Sequence, residues 1–400
     1  MMHDDGKNTD TPMTVGRSLF VLAIVLASLN LRPAMASLSP LIKTIRLDLS
    51  LSFTAVGLLT TIPVICFAIF PVVANRLARR IGIERALLIA LGLIALATAT
   101  RVAGNHAAVL FGSAFVVGLG VAGCQVYIPA IAKRHFGTSA PVVTALYATT
   151  MSASAVIAVA TTPLLTSYFG SWSAALAIWS LLALLAVGLW IPIARNSPPT
   201  PRPTTKPAGL PWHDLLAWRI TLYSTVTFVL FFSILAWYAP IYQAQGWSDA
   251  AAGSLVAVLF VAQLISALVV TAAAARQTGR RPLMLAGTIL SAVGLAGVAF
   301  EPLAAPWIWA VLTGLGLGVQ FTVAFTLPVD YGANPDEVGR LTAMAMSVGY
   351  LLASIGPVAI GWLRHITGSF EVPFATLVVL VLVLSLPMLR LPATASVARN

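Results

Sequence analysis

The sequence predicts an all-α membrane protein of twelve transmembrane helices that form two repeated halves of six helices each. Three observations lead to this prediction: a very apolar composition, a regular series of long apolar segments, and pairs of similar motifs that recur at nearly one offset. Hydrophobic residues make up 59% of the 400 residues and charged residues only 9%. A soluble domain carries roughly 25% charged residues because its surface faces water, so the composition argues against a soluble protein.

Twelve apolar segments appear when the chain is cut at its charged and turn-forming clusters. A spanning helix needs about 20 apolar residues, and the segments are residues 18–42, 53–75, 86–103, 107–132, 141–168, 173–194, 218–242, 250–275, 282–300, 306–329, 340–363 and 371–390. The run 196–203, between the sixth and seventh segments, is too rich in proline to be helical throughout. The predicted organisation is a tail (1–17), a six-helix half (18–194), a linker (195–217), a second half (218–390) and a tail (391–400).

The net charge of +11 is explained by the placement of Lys and Arg between the spans. Membrane proteins keep these residues on the cytoplasmic side, whereas a nucleic-acid-binding domain collects them on one folded face. With the N-terminus in the cytoplasm, eighteen basic residues fall on the cytoplasmic side, and only Lys43, Arg46, Arg101 and Arg364 fall on the outer side. We therefore expect a multi-pass protein of the bacterial inner membrane with both termini in the cytoplasm and no nucleic-acid partner.

Few residues offer catalytic or metal-binding chemistry. Cys66 and Cys124 both lie in apolar segments, where cysteine commonly serves as a small packing residue. The chain has no His-Glu-x-x-His motif and no cluster of carboxylates at membrane depth. An integral membrane enzyme is therefore disfavoured, and no cofactor or metal is predicted.

Several motifs of the first half recur in the second. Ser52 and Gly57 match Ser248 and Gly253, Gly82 matches Gly279, Thr144 and Ala145 match Thr342 and Ala343, and Gly170 matches Gly368, at offsets of 196 to 198 residues. Matches at nearly one offset, in corresponding loops and spans, indicate duplication of a six-span unit. Parallel duplication of this kind is the architecture of major facilitator transporters, whose solute site lies near the midplane between the halves.

The loop after the second span supports the same architecture. Residues 75–85 read Asn-Arg-Leu-Ala-Arg-Arg-Ile-Gly-Ile-Glu-Arg and resemble the major facilitator signature loop between spans two and three. Arg79 replaces the acidic residue usual in that signature, and Glu84 or Asp330 is the candidate to substitute for it. A plain positively charged cytoplasmic loop remains the alternative explanation. The candidate gating and structural residues are Arg76, Arg79, Arg80, Gly82, Glu84, Arg85, Arg276, Gly279, Arg280, Asp330 and Arg340.

A narrower resemblance comes from the first two spans. The stretches Leu29-Asn30-Leu31-Arg32-Pro33-Ala34, Ser39-Pro40-Leu41-Ile42 and 57–64 resemble the CynX/NimT family of major facilitator transporters. The glycine-rich stretches of the fourth and tenth spans look similar too, so the resemblance covers essentially the whole chain. It implies transport of a small solute. The family names point to cyanate and to nitroimidazoles, which differ chemically, so the resemblance does not fix a substrate.

Arg32 is the most informative residue for function. It follows Arg17 by fifteen residues, about 22 Å along a helix, and lies near the centre of the first span. A guanidinium at that depth costs at least about 2.5–3.5 kcal/mol, so it should face the bundle interior or a wet cavity. No Asp or Glu lies at a comparable depth, and an unpaired arginine suits an anionic substrate. A purely structural role, in which Arg32 binds helix carbonyls, remains the alternative.

Other polar and aromatic residues inside the spans are secondary candidates for substrate binding. Amide and phenol groups can line a wet cavity and orient a small solute, although each can equally form a hydrogen bond between helices. These candidates are Asn30, Gln125, Tyr127, Tyr147, Trp237, Tyr238, Gln263, Gln320 and Tyr350.

The sequence as a whole predicts a secondary active or facilitative transporter of a small anionic or polar solute, such as a cyanate-like or small organic anion. We expect it to work by alternating access, as a monomer in contact with membrane lipid. A multidrug or nitroimidazole-type efflux transporter is the alternative, with neutral or cationic substrates held by an interior acidic residue, which the sequence lacks. All five histidines fall in loops or the tail, so none offers a proton-coupling group within a span.

Overall fold

A computed structural model describes residues 16–104, 106–197, 209–274 and 281–385, and the regular structure of these residues is entirely helical. Short 3-10 turns occur at Ser39–Leu41, Thr100–Ala103 and Gly137–Ser139. The α-helices are α1 (Arg17–Leu29), α2 (Pro33–Ala36), α3 (Ile42–Asp48), α4 (Phe53–Ile81), α5 (Ile83–Ala99), α6 (Ala107–Phe136), α7 (Ala140–Phe169), α8 (Trp172–Ala177), α9 (Trp179–Asn196), α10 (Leu215–Ala244), α11 (Asp249–Ala274), α12 (Arg281–Phe300), α13 (Pro306–Tyr331), α14 (Pro335–Ala353), α15 (Ile355–Thr367) and α16 (Glu371–Ser385).

The helices confirm the predicted class of an all-α membrane protein. Eleven stretches of the described chain are long and apolar enough to cross a membrane, and Glu371–Val383 within α16 forms a shorter apolar helix at the position of the twelfth. The first span combines α1, α2 and α3, the sixth combines α8 and α9, and the eleventh combines α14 and α15. The first span continues to Asp48 and the second to Ile81, each six residues beyond its predicted end.

The repeated motifs occupy matching structural positions in the two halves. The Ser52 hydroxyl accepts a hydrogen bond from the backbone N–H three residues on (3.1 Å) at the start of α4, and Ser248 does the same (3.2 Å) at the start of α11. Gly170 and Gly368 end α7 and α15 with φ angles of 63° and 72°. Glycine adopts this left-handed conformation without a Cβ clash. The sequence duplication is therefore also a structural duplication.

Glycines let the fourth and tenth spans pack closely against their neighbours. A Cβ on Gly118 of α6 would lie 2.7 Å from the Cα of Pro63 on α4. Gly314 of α13 approaches the Leu259 carbonyl of α11 in the same manner. Close helix approach through small residues is the usual packing mode inside membranes, and here it recurs in both halves.

The turns 49–52, 170–171, 245–248 and 368–370 lie at one end of the bundle, which we call the predicted outer end because the charge bias assigns these turns to the outside. The two halves are packed together there. A Cβ on Gly57 of α4 would lie 2.6 Å from the Pro357 carbonyl oxygen of α15. A Cβ on the repeat-related Gly253 of α11 would lie 3.0 Å from the Val159 carbonyl oxygen of α7.

Hydrogen bonds between the halves reinforce this contact. The Thr61 hydroxyl of α4 donates to the Ser354 carbonyl oxygen at 2.8 Å, and the Lys43 ammonium of α3 donates to the Gln243 carbonyl oxygen at 3.1 Å. In each pair the donor belongs to the first half and the acceptor to the second. The molecule is therefore closed at the predicted outer end.

Candidate functional site

The first span is interrupted where Arg32 lies. Helix α1 ends at Leu29, residues 30–32 form a turn, and Pro33 is the first residue of α2. Proline has no N–H to continue the hydrogen-bond ladder, and it disfavours helical geometry in the residue before it. The Asn30 amide compensates locally by donating to the Leu26 carbonyl oxygen at 2.7 Å. Non-helical backbone at membrane depth is tolerated where it lies within protein or lines a cavity.

The Arg32 side chain lies between the two halves. Its guanidinium carbon is 4.6 Å from the centre of the Phe231 ring on α10, and it interacts electrostatically with Tyr147 of α7 and Tyr350 of α14. Within the described part of the chain, the guanidinium has no carboxylate within 4.0 Å and makes no hydrogen bond. A cation at this depth therefore meets aromatic faces and phenol groups without a counter-charge.

Aromatic side chains from both halves surround this position. Tyr350 stacks on Phe228 with ring centres 4.3 Å apart and an interplanar angle of 15°, and it meets Phe67 of the first half at 5.7 Å. We call this group the aromatic wall, and it consists of Phe67, Phe228, Phe231, Phe232, Phe321 and Tyr350. Only Tyr350 belongs to the residues predicted from the sequence. The phenylalanines look like ordinary lipid-facing or core residues in the sequence, although their clustering at 228–232 is a signal that could have been used.

Arg101 is a second buried arginine, and it holds the interrupted span. In the charge count Arg101 is an outer-side residue, yet it is only 1% exposed. Its terminal nitrogen Nη1 donates to the Ala34 carbonyl oxygen of α2 at 2.6 Å, and its Nε donates to the Ser113 hydroxyl at 3.0 Å. Because Ala34 is two residues from Arg32, Arg101 fixes the backbone segment that presents Arg32.

Replacing Arg101 with methionine is expected to lower the melting temperature and to weaken ligand binding at Arg32. Methionine fills much of the same space but leaves the Ala34 carbonyl without its donor, at a cost of about 1–3 kcal/mol. Thermal unfolding and ligand titration of the R101M protein measure the two effects. The S113A protein keeps the bond to Ala34 but loses the one from Arg101 Nε and the Ser113 bond to the Leu110 carbonyl oxygen. It serves as the control, with ligand binding close to that of the wild type. Unchanged binding in R101M despite a lower melting temperature would show that Arg101 serves the fold alone.

Four of the predicted substrate-binding residues use their polar groups for packing within one half. Each donates to a backbone carbonyl of a neighbouring span: Asn30 also to Leu182 (3.3 Å), Tyr127 to Ala74 (2.9 Å), Trp237 to Pro357 (2.8 Å) and Gln320 to Gly287 (3.3 Å). A buried donor needs such a partner, and the nearest one is a helix carbonyl. These four donors therefore have a structural role in helix packing, and their part in substrate binding stays a prediction.

The remaining secondary candidates divide into two groups. Tyr238 is fully buried inside the second half, where its hydroxyl lies beside those of Tyr242 and Thr313. Gln125 and Gln263 are half-buried, and neither side chain makes a hydrogen bond to another described residue. They stay candidates for the cavity lining, together with Tyr147 and Tyr350.

The signature-like loop lies at the opposite end of the bundle. Gly82 separates α4 from α5 with a φ of 93°, which explains the glycine. Glu84 follows it and is 1% exposed, with its carboxylate 3.3 Å from the Arg134 guanidinium and 2.9 Å from the His135 ring. Both partners belong to the first half, so this acidic residue holds spans three and four together. Arg85 donates to the Ala194 carbonyl oxygen at 3.4 Å.

The other predicted gating residues are placed less centrally. Arg76, Arg79 and Arg80 are exposed on the last two turns of α4. Arg340 donates to the Gly209 carbonyl oxygen at 3.0 Å, and Asp330 is half-buried near the end of α13. The predicted residues Arg276, Gly279 and Arg280 lie outside the described residues. Among residues that are described, no group of three or more His, Cys, Asp or Glu side chains could hold a metal ion.

Comparison with known proteins gives matches along the whole chain. The family model of the Major Facilitator Superfamily matches residues 20–248 and 225–400. The chain is 31% identical over 356 residues to the cyanate transport protein CynX of Escherichia coli (strain K12), covering 89% of this chain and 92% of that protein. It is 32% identical over 374 residues to the 2-nitroimidazole transporter of the same organism, covering 92% and 94%. The crystal structure of a D-xylose-proton symporter is similar in fold, with a TM-score of 0.74 at 16% identity over 93% of this chain and 97% of that one.

Proposed function

Because the chain belongs to the CynX/NimT family of the Major Facilitator Superfamily and is a transporter of small solutes, we propose that it binds a small monovalent anion at Arg32 and moves it across the membrane by alternating access. The observation that carries this proposal is the Arg32 guanidinium, which lies between the halves without a carboxylate partner among the described residues. A half-buried cation without a counter-charge is most stable when an anion completes its coordination.

The surroundings of Arg32 support a particular kind of anion. The ring face of Phe231 excludes water on one side of the guanidinium and offers no hydrogen bond. Tyr147 and Tyr350 interact electrostatically with the guanidinium, and phenols can donate to an anion. A weakly hydrated anion of a few atoms, such as cyanate, nitrate or a short carboxylate, matches one fork-shaped cation and two donors. A strongly hydrated dianion would leave much of its charge unpaired.

We further propose that the protein works as a monomer in the bacterial inner membrane, with both termini in the cytoplasm. The bias of Lys and Arg supports this orientation. Exposed apolar side chains on the bundle, such as Leu96 and Leu185, support contact with lipid, and a site formed within one chain needs no second subunit. In this orientation, the end of the bundle at which the two halves are closed together is the one that faces the outside.

A second candidate function is export of a nitroimidazole-like heteroaromatic compound. The aromatic wall favours it, because the parallel Phe228 and Tyr350 rings offer a flat surface on which a planar ligand can stack. In this case Arg32 would bind the nitro group, which carries partial negative charge on two oxygens. The two candidates differ in whether a full negative charge on the ligand is required.

A thermal-shift screen of the purified protein with matched ligand pairs tests the proposal. Benzoate and benzamide have the same shape and differ in charge, and cyanate, nitrate, acetate and 2-nitroimidazole extend the panel. We expect at least one anion to raise the melting temperature saturably, and benzoate to exceed benzamide if a ring is accepted. Stabilisation by 2-nitroimidazole alone would favour the second candidate. Equal stabilisation by benzoate and benzamide would contradict an anion site.

A further inference from the structure

We propose that Arg46 and Arg364 form a second anion-binding site, separate from Arg32, at the predicted outer end. This site is complete only when the two halves are closed there. It would take a small monovalent anion, either ambient chloride or the transported anion itself, and its occupation would stabilise the closed outer end.

The two arginines share one aromatic ring. The Arg46 guanidinium carbon lies 4.4 Å from the centre of the Phe53 ring, and that of Arg364 lies 4.7 Å from the same centre. Arg364 also lies 4.9 Å from the centre of the Phe370 ring. Arg46 and Phe53 belong to the first half, whereas Arg364 and Phe370 belong to the second. The cluster therefore spans the contact between the halves.

This arrangement brings two positive charges together without neutralising them. Both guanidinium groups stack on Phe53, so they lie within about 10 Å of each other, the Debye length at 0.1 M salt, and they interact electrostatically. Neither has a carboxylate within 4.0 Å among the residues that the structure describes. Aromatic faces attract each cation separately but do not reduce the repulsion between them.

A donor that lacks an acceptor is present in the same cluster. The Nε atom of Arg364 is buried and has no hydrogen-bond partner within the described chain. A buried donor left unpaired is unfavourable, the more so when it is charged. A small anion between the two guanidinium groups would accept from this nitrogen and offset both positive charges.

The site depends on the conformation of the transporter. Each half contributes one arginine, so separation of the halves at this end also separates the two charges. An anion that binds only the closed arrangement shifts the equilibrium toward it. Without the anion, repulsion between Arg46 and Arg364 favours opening. The inference rests on the proposed function only in requiring that the halves part at this end, and it does not depend on Arg32.

The test compares chloride with gluconate at constant ionic strength, using a Thr61→Cys reporter with Cys66 and Cys124 replaced by alanine. Thr61 is 5% exposed and bonded across the interface, so a membrane-impermeant maleimide labels the reporter only when the outer end opens. In the otherwise unchanged protein we expect chloride to slow labelling several-fold. At tenfold excess over its Kd, chloride should also raise the melting temperature by about 2 °C.

The variants separate this site from the central one. R46Q and R364Q should remove both chloride effects, whereas R32A should keep them. R364E places a carboxylate beside Arg46 and should give slow labelling in gluconate as well as in chloride. Repeating the comparison with the transported anion in the R32A protein distinguishes the two possible sources of the anion.

Three outcomes would overturn the proposal: no chloride effect in the reporter protein, chloride effects that persist in both R46Q and R364Q, or fast labelling of R364E in gluconate. Loss of the chloride effect in R32A together with its persistence in R364Q would also overturn it. That last result would leave the proposed central site intact, so the two proposals fail separately.

Discussion

Replacing Arg32 with alanine should weaken anion binding by roughly one to two orders of magnitude while leaving the folded protein about as stable as the wild type. Losing one hydrogen bond to a charged group costs about 1.5–3 kcal/mol, or a roughly 10- to 150-fold increase in Kd. Within the described chain the Arg32 guanidinium makes no hydrogen bond and no ion pair. Its removal therefore takes a half-buried charge out of the interior and deletes no described polar contact.

Arg32→Lys is the informative companion to this substitution. Lysine keeps the charge but lacks the planar fork, so we expect a Kd about tenfold above that of the wild type, between those of the wild type and R32A. Isothermal titration or a ligand-induced thermal shift measures both variants. Arg195→Ala removes an exposed charge near the linker and controls for the overall charge of the protein. Wild-type affinity in R32A would refute the proposed site.

Gly57→Val should hold the protein open at the predicted outer end and reduce transport to background. A Cβ at this position would lie 2.6 Å from a backbone oxygen of α15, and backbone cannot rotate away as a side chain can. Overpacking of this kind costs about 1–3 kcal/mol. That cost falls only on the closed state, so the open state gains about 5- to 150-fold in relative population.

Uptake into proteoliposomes and maleimide labelling of a Thr61→Cys reporter measure the expected change. Transport should fall while labelling rises in G57V, and G253V should behave similarly because Gly253 holds the repeat-related contact. Gly92→Val is the matched control, since no atom lies within 4 Å of a Cβ built there. If G57V transports normally, the contact between α4 and α15 does not have to close during the cycle.

The sequence contained enough information for the spans and for the position of Arg32. The length of each apolar segment predicts the length of its helix, because a spanning helix must form all its backbone hydrogen bonds within the membrane. The depth of Arg32 follows from counting residues, and Pro33 predicts the interruption of the helix beside it. Its lack of a carboxylate partner is also foreseeable, since no acidic residue occurs at that depth. These features depend on local chain geometry alone.

The rest of the candidate site depends on contacts that the sequence does not reveal. Phe67 meets Phe232 and Tyr350 because two distant spans pack together, and nothing in the local sequence of these phenylalanines distinguishes them from other apolar residues. The charge count along the chain places Arg101 in an outer loop. It is buried because the interrupted first span turns the Ala34 carbonyl toward it. The partners of Gln320 and Tyr127 were equally hidden in the sequence, since each side chain donates to a carbonyl of a neighbouring helix.

The interruption at Arg32 also divides the first span mechanically. A continuous helix resists bending through its ladder of hydrogen bonds, whereas α1 and α3 are linked through turns and the single helical turn of α2. The span therefore consists of two helices, α1 and α3, and the turn between them holds the residue proposed to bind the solute. Helix α3, nearer the predicted outer end, carries Lys43 and Thr44, which donate hydrogen bonds to Gln243 and Asp249 of the second half. A rotation about this turn would move Arg32 relative to these contacts, so we expect ligand binding at Arg32 to affect closure of the outer end.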